Sequence, residues 1–243
     1  MEPSKRTGPA EPEGHELEGH EPEGHEPEGQ GYDASPYLPR RGGLEALRRA
    51  AGGCRGCPLF QNATQTVFGA GPARARLVLV GEQPGDQEDR QGEPFVGPAG
   101  RLLHKALAEA GLGEEDAYVT NAVKHFKFTL DARGKRRIHK APSLREMTAC
   151  RPWLAAELRV IAPEVVVVLG GTAGKALFGS SFRVGERRGV LLPMPALDGE
   201  EPGTGHGQLL ATVHPSAVLR ADDREGAYRG LVADLSVAAT ALE

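Results

Sequence analysis

Four consecutive valines, Val165 to Val168, closed by Leu169 and bounded by Pro163 and Gly170, leave this chain little choice of architecture. β-Branched residues at successive positions favour an extended backbone, and no polar residue interrupts the run on either face. Such a strand is covered on both sides, as in a parallel sheet sandwiched by helices. The stretch Leu-Val-Leu-Val at 77–80 has the same character. Helical signals alternate with these runs. Residues 98–110 carry Pro98 in the first turn and Leu102, Leu103, Ala106 and Leu107 on one stripe. Ser143 and Glu146 form a capping box for a helix running to about 161. Shorter helices are expected at 43–52 and 172–178, and a closing helix at 222–241. Further strands are expected at 118–122, 189–192 and 209–213. The alternation predicts a three-layer α/β/α sandwich on a mainly parallel central sheet.

The amino-terminal segment stands apart. Residues 11–30 repeat EPEGH-like pentads with almost no apolar content, so residues 1–42 read as a disordered acidic tail and 43–243 as one domain. His15, His20 and His25 in the repeat fit a solvated tail better than a metal site. The tail also biases the charge. Residues 1–30 hold nine glutamates against Lys5 and Arg6, leaving residues 31–243 with 27 basic and 24 acidic side chains. A net charge of −4 overall therefore becomes +3 over residues 31–243, which permits nucleic-acid binding without requiring it. No apolar run is long enough to span a bilayer and the amino terminus lacks a signal-peptide core, so a cytoplasmic monomer is expected.

Chemistry-bearing residues gather where strands should end. The first strand runs into Gly81-Glu82-Gln83-Pro84-Gly85-Asp86-Gln87-Glu88-Asp89 and then Glu93-Pro94-Phe95-Val96-Gly97. Open α/β sheets place ligands at the carboxyl ends of their strands, and five charged side chains beside a Pro-Phe-Val turn suit a site better than a plain connection. His214-Pro215-Ser216, after the last core strand, reaches the same rim. A cationic loop, Lys135-Arg136-Arg137-Ile138-His139-Lys140, suits a solvated surface or phosphate contacts. Cys54 and Cys57, spaced for one metal, with Cys150 and His125, compose a Cys₃His set open to zinc or an iron–sulfur cluster. The alternative for Cys150 is an inert core thiol.

Taken in order, Cys54-x-x-Cys57, the Gly81–Gly85 loop with Glu88-Asp89, the Pro94–Gly97 turn, Val119-Thr120-Asn121 and His214-Pro215-Ser216 resemble the uracil-DNA glycosylase superfamily across residues 43–235. They are most similar to its iron–sulfur-containing family 4. Two features depart from that pattern: His125 stands where family 4 has a cysteine, and the Lys135–Lys140 loop is inserted. Gln83, this loop and its histidine resemble the UdgX branch, whose members become covalently attached to uracil-containing DNA. The resemblance implies a [4Fe–4S] cluster on Cys54, Cys57, His125 and Cys150, and single- or double-stranded uracil-containing DNA as partner.

Each position then has an implied task. The glycosidic bond is inaccessible in a stacked helix, so the base must be flipped out. Phe95 would stack on uracil. Asn121 would read its O4 and N3–H edge, and Gln83 and Asp86 would line the uracil-binding loop. His214 and loop N–H groups would stabilise the departing uracil anion. Lys135, Arg136 and Arg137 would hold phosphates, with Ser216 guiding its loop into the minor groove. His139 would attack C1′ as nucleophile, with Glu82 accepting its other ring N–H. Gln83, an amide, cannot serve as the base for a hydrolytic water. Two other readings stay open: an ordinary multiple-turnover uracil-DNA glycosylase, and a non-catalytic module that binds uracil or abasic DNA.

Overall fold

The computed structural model describes residues 31–197 and 207–243. The pentad repeat lies outside the described residues. Among the described residues, those from 32 to 42, which the sequence reading placed in the tail, cluster with the rest of the domain. Ala34 is buried and its N–H donates to the carbonyl of Ala149 at 3.0 Å, so this stretch belongs to the domain.

In chain order the elements are α1 (Leu44–Ala51), β1 (Leu77–Gly81), α2 (Asp86–Gln91), α3 (Pro98–Glu109), β2 (Ala117–Asn121), β3 (Phe128–Leu130), β4 (Arg137–His139), α4 (Leu144–Ile161), β5 (Val165–Leu169), α5 (Gly171–Phe178), α6 (Val184–Arg187), β6 (Leu191–Pro193), β7 (Gln208–Thr212), α7 (Pro215–Arg220) and α8 (Arg224–Ala241). The main sheet has the order β2-β1-β5-β7-β6. Its first four strands are parallel and β6 is an antiparallel edge. The expected sandwich is therefore present, built by the alternation of side chains along each strand. Val78, Val80, Val166 and Val168 pack with α1, α4 and α5 on one face. Leu77, Leu79, Val165, Val167 and Leu169 pack with α3, α7 and α8 on the other.

That division positions the site. β1 and β5 are neighbours, but the helices that follow them cover opposite faces, α3 after β1 and α5 after β5. Their loops part above the strand ends and leave a crevice there. The capping box is in place: the Ser143 side chain accepts from the Glu146 N–H, and Glu146 accepts from the Ser143 N–H. Several elements differ from expectation, the short helix α6 among them. The acidic loop after β1 contains a turn of helix, α2. The cationic stretch forms a β3–β4 hairpin with Phe128 opposite His139. The closing helix is preceded by a separate short one, α7, because the Asp223 side chain caps Gly226 and starts α8 afresh. No helix among the described residues is long and apolar enough to cross a membrane.

Candidate functional site

A cavity of about 640 Å³ opens at the carboxyl ends of β1, β2, β5 and β7. Its walls include Glu82, Gln83, Asp86, Phe95, Asn121, His139, His214 and Ser216, so residues from five separate sequence segments meet there. Local backbone chemistry explains the convergence. A Cβ at Gly81 would lie 2.3 Å from Asn121 Oδ1 and 2.7 Å from the Phe95 ring, so only glycine lets these two side chains close over the end of β1. Phe95 itself has φ of 58°, a left-handed conformation that costs a bulky residue energy. Gly100 supports it, since a Cβ there would fall 1.5 Å from the Phe95 carbonyl oxygen. The Phe95 and His214 rings face each other with centroids 6.4 Å apart and planes 29° from parallel.

His214 caps α7, and its hydrogen bonds fix its tautomer. The backbone N–H of Ser216 donates to His214 Nδ1 at 3.1 Å, and Ser216 Oγ lies 2.8 Å from the same nitrogen. Nδ1 must therefore carry the lone pair, leaving Nε2 with the proton. Burial pushes the ring's pKa down to about 4, with the positive charge of Arg220 acting in the same direction. A neutral N–H donor thus stands in the cavity wall at neutral pH. Arg220, which sequence reading passed over, lines the same wall.

The hairpin brings His139 to the opposite side. Gln83 clasps its base: Oε1 accepts from the Lys127 N–H at 3.0 Å, while Nε2 lies 3.2 Å from the Lys127 carbonyl and 2.9 Å from that of Lys140. These partners fix the amide orientation, so the contact of 2.9 Å between Gln83 Nε2 and His139 Nε2 makes the histidine nitrogen an acceptor. A carboxamide has two N–H groups, and three acceptors compete for them. Glu82 Oε1 lies 3.4 Å from the same His139 nitrogen and has no hydrogen-bond partner among the described residues. The carboxylate therefore faces Nε2 instead of the opposite ring N–H expected of it.

The cationic residues divide. Lys135 and Arg136 are exposed at the hairpin turn, where their backbone N–H groups donate to Asp131. Arg137 instead turns inward, ion-paired with Asp86 and, at 2.6 Å, with the fully buried Asp89. Its guanidinium pins the hairpin to α2 and is unavailable to phosphate, contrary to expectation. The Asp86 carboxylate is likewise held, by Arg137 and by Arg90 at 3.0 Å. Lys124 is buried and paired with Glu157, and sequence reading singled out neither. Nothing in the local sequence marks that lysine as internal.

Cys54, Cys57 and Cys150 are free thiols buried within one core cluster. Burial pushes Cys57 up to about 11 and Cys150 to about 12, and charge on neighbouring cysteines adds to both. Cys54 Sγ accepts from the Trp153 indole N–H at 3.2 Å, and Cys150 Sγ from the Lys124 N–H at 3.3 Å. N–H donors aimed at sulfur suit thiolate ligands, so the donor chemistry fits a metal or cluster. Even so, no group of three or more potential ligands is assembled as a metal site among the described residues. His125 Nε2 is engaged by Thr66 Oγ1 at 2.9 Å, and burial lowers its pKa to about 4, keeping the ring neutral.

Comparison with known proteins bears on this geometry. The family model described as "Uracil DNA glycosylase superfamily" matches residues 68–236. A Type-4 uracil-DNA glycosylase of Thermotoga maritima is 35% identical over 178 residues, which are 73% of this chain and 83% of that protein. Its counterpart from Pyrobaculum aerophilum is 32% identical over 186 residues, 76% of this chain and 89% of the relative. That of Archaeoglobus fulgidus is 38% identical over 135 residues, 56% and 63% of the two chains.

Proposed function

The chain belongs to the uracil-DNA glycosylase superfamily, and from that premise we propose that it excises uracil from DNA and becomes covalently joined to the sugar through His139. The observation carrying the second half is the contact between His139 Nε2, the Gln83 amide and the Glu82 carboxylate at the cavity rim. The Type-4 relatives support the first half.

In this mechanism a flipped uracil lies against Phe95, with its O4 and N3–H edge at Asn121. As the C1′–N1 bond breaks, its electron pair moves onto the pyrimidine. The His214 Nε2–H donates to the oxygen that gains charge, as a preorganised donor requiring no proton transfer. The sugar acquires oxocarbenium character. Its C1′ is attacked by the lone pair of His139 Nε2 once that nitrogen leaves the Gln83 N–H. Before attack, the lone pair faces the Glu82 carboxylate, a repulsive contact. After attack the imidazole is cationic and the contact becomes attractive, so Glu82 favours the bonded state over the free one. Loss of the Nδ1 proton to solvent then leaves a neutral alkylated imidazole, a poor leaving group, and turnover stops. Lys135 and Arg136 would bind phosphates of the flanking strand, and Ser216 would hold the His214 loop against the minor groove.

Cys54, Cys57, Cys150 and His125 would hold a [4Fe–4S] cluster. When bound, that group would supply a cross-link between the segment preceding residue 58 and α4, remote from bond cleavage.

Denaturing electrophoresis after incubation with uracil-containing single- and double-stranded DNA tests the proposal. Capture gives a shifted band that survives denaturation, whereas ordinary turnover gives alkali-labile DNA without a shift. A binding module gives neither.

A further inference from the structure

We infer that the buried pair Lys124–Glu157 is a positioning device for Asn121 and sets how strictly the cavity separates uracil from cytosine. The inference rests on the function proposed above and names a specificity determinant for it.

Asn121 is the last residue of β2, the edge strand of the sheet. Along a strand, the N–H and C=O groups of alternate residues point to opposite sides. Ala122 turns towards β1, where its N–H donates to the Gly81 carbonyl at 2.9 Å. Val119 and Asn121 turn outward. At Val119 a short bridge to Ala70 satisfies both groups at 2.8 Å. At Asn121 the Lys124 ammonium takes the place of a strand, donating to its carbonyl at 2.8 Å. The other two ammonium protons go to Thr120 Oγ1 at 2.7 Å and to Glu157. Glu157 in turn accepts from Tyr118 Oη at 2.9 Å and Thr120 Oγ1 at 3.0 Å. One buried ion pair on α4 and the β2–β3 connection thus grips residues 118, 120 and 121.

A pair of this kind is an uneconomical way to stabilise a core. Taking both charges out of water offsets most of their attraction, and an apolar pair of similar volume often serves as well or better. What the pair supplies is directional geometry, at the residue whose carboxamide reads the base. Uracil presents an acceptor at O4 and a donor at N3, and cytosine presents the reverse. A carboxamide held in one orientation rejects cytosine by leaving buried groups unpaired, while one free to turn over accepts either. With its carbonyl uncapped, the end of β2 would lose the outward restraint opposing the β1 ladder.

The test is the paired substitution Lys124→Met with Glu157→Leu, which removes both charges together and leaves neither one stranded. Single-turnover uracil release is measured, with its inhibition by free uracil and by free cytosine. The variant should melt below the parent, because Tyr118 Oη, Thr120 Oγ1 and the Asn121 carbonyl lose partners. At a temperature where it is folded it should still release uracil at least tenfold more slowly and discriminate between the two free bases at least tenfold less. In an Asn121→Ala background the paired substitution should cause no further loss of discrimination, a non-additivity that a merely structural role would not produce. A folded variant with unchanged discrimination overturns the inference. If the paired variant does not fold, Thr120→Val decides, because it keeps both charges and removes the hydroxyl between them. A smaller loss of discrimination supports the inference and an unchanged one overturns it. Absence of uracil release by the parent protein overturns the function itself and the inference with it.

Discussion

At the scale of single residues, two histidines divide the chemistry, and each can be tested separately. His139 is about half exposed and reaches outward, whereas His214 is locked into the wall by Ser216. His139→Ser should abolish the denaturation-resistant band yet leave uracil release intact, because Phe95, Asn121 and His214 are untouched. Water can enter the space vacated by the ring, with Glu82 placed to accept its proton, so the variant should release more than one uracil per protein molecule. Release assays alongside denaturing gels distinguish this from simple inactivation. His214→Ala should slow release by about 10²–10³-fold, the usual cost of one preorganised donor. The pH response follows from the ring's folded pKa of about 4 against an ordinary value of 6.5. The neutral donor persists down to about pH 4, so release by the His139→Ser variant should stay level from pH 7 to 5 and fall below that. Stability behaves differently. The unfolded chain binds the proton first, so the His214 contribution is complete above about 6.5 and is lost as pH falls towards 4. Thermal unfolding across this window should decline less steeply in His214→Asn than in the parent.

At the scale of elements, the β3–β4 hairpin shows what sequence could and could not convey. Its charge was legible, but its strands were not, since three-residue strands carry too little alternation to register a period. The division of labour among its cations was hidden as well. Arg137 is separated by 48 and 51 residues from the carboxylates it binds, and adjacent arginines look alike in a string. The contrast is measurable. Arg137→Ala strands Asp89 as a buried carboxylate held, among the described residues, by the Thr64 N–H alone, and should cost about 3–5 kcal/mol in denaturant unfolding. Lys135→Ala and Arg136→Ala should leave stability within about 0.5 kcal/mol. Each should instead lower the slope of log affinity for DNA against log salt by about 1. Equal effects of all three on stability would refute this division.

At the scale of the whole molecule, the parallel core was readable because β1 and β5 are apolar at every position, a pattern with few alternative folds. The crevice followed from the same pattern, since polar loops directly after buried strands must lie at their carboxyl ends. The thiols were legible as a set, but sequence carries no information on whether they assemble around a group. Their chain placement suggests what such a group would do. Cys54 and Cys57 flank the turn leading into the Pro58–Gln61 helical turn, while Cys150 lies on α4 and bonds to the backbone of Lys124, next to His125. A cluster here would tie three chain segments that otherwise share mainly apolar contacts and a few hydrogen bonds. Anaerobically purified protein should therefore be brown and contain iron and sulfide. Cys57→Ala should lose the colour and melt at lower temperature, because the link between the Cys54–Cys57 turn and α4 is gone. Its uracil release at a temperature where it remains folded should be within a few fold of the parent, since the thiols lie outside the residues that line the cavity. Zinc in place of iron would overturn the cluster assignment. A colourless variant that melts like the parent would overturn the role as a cross-link.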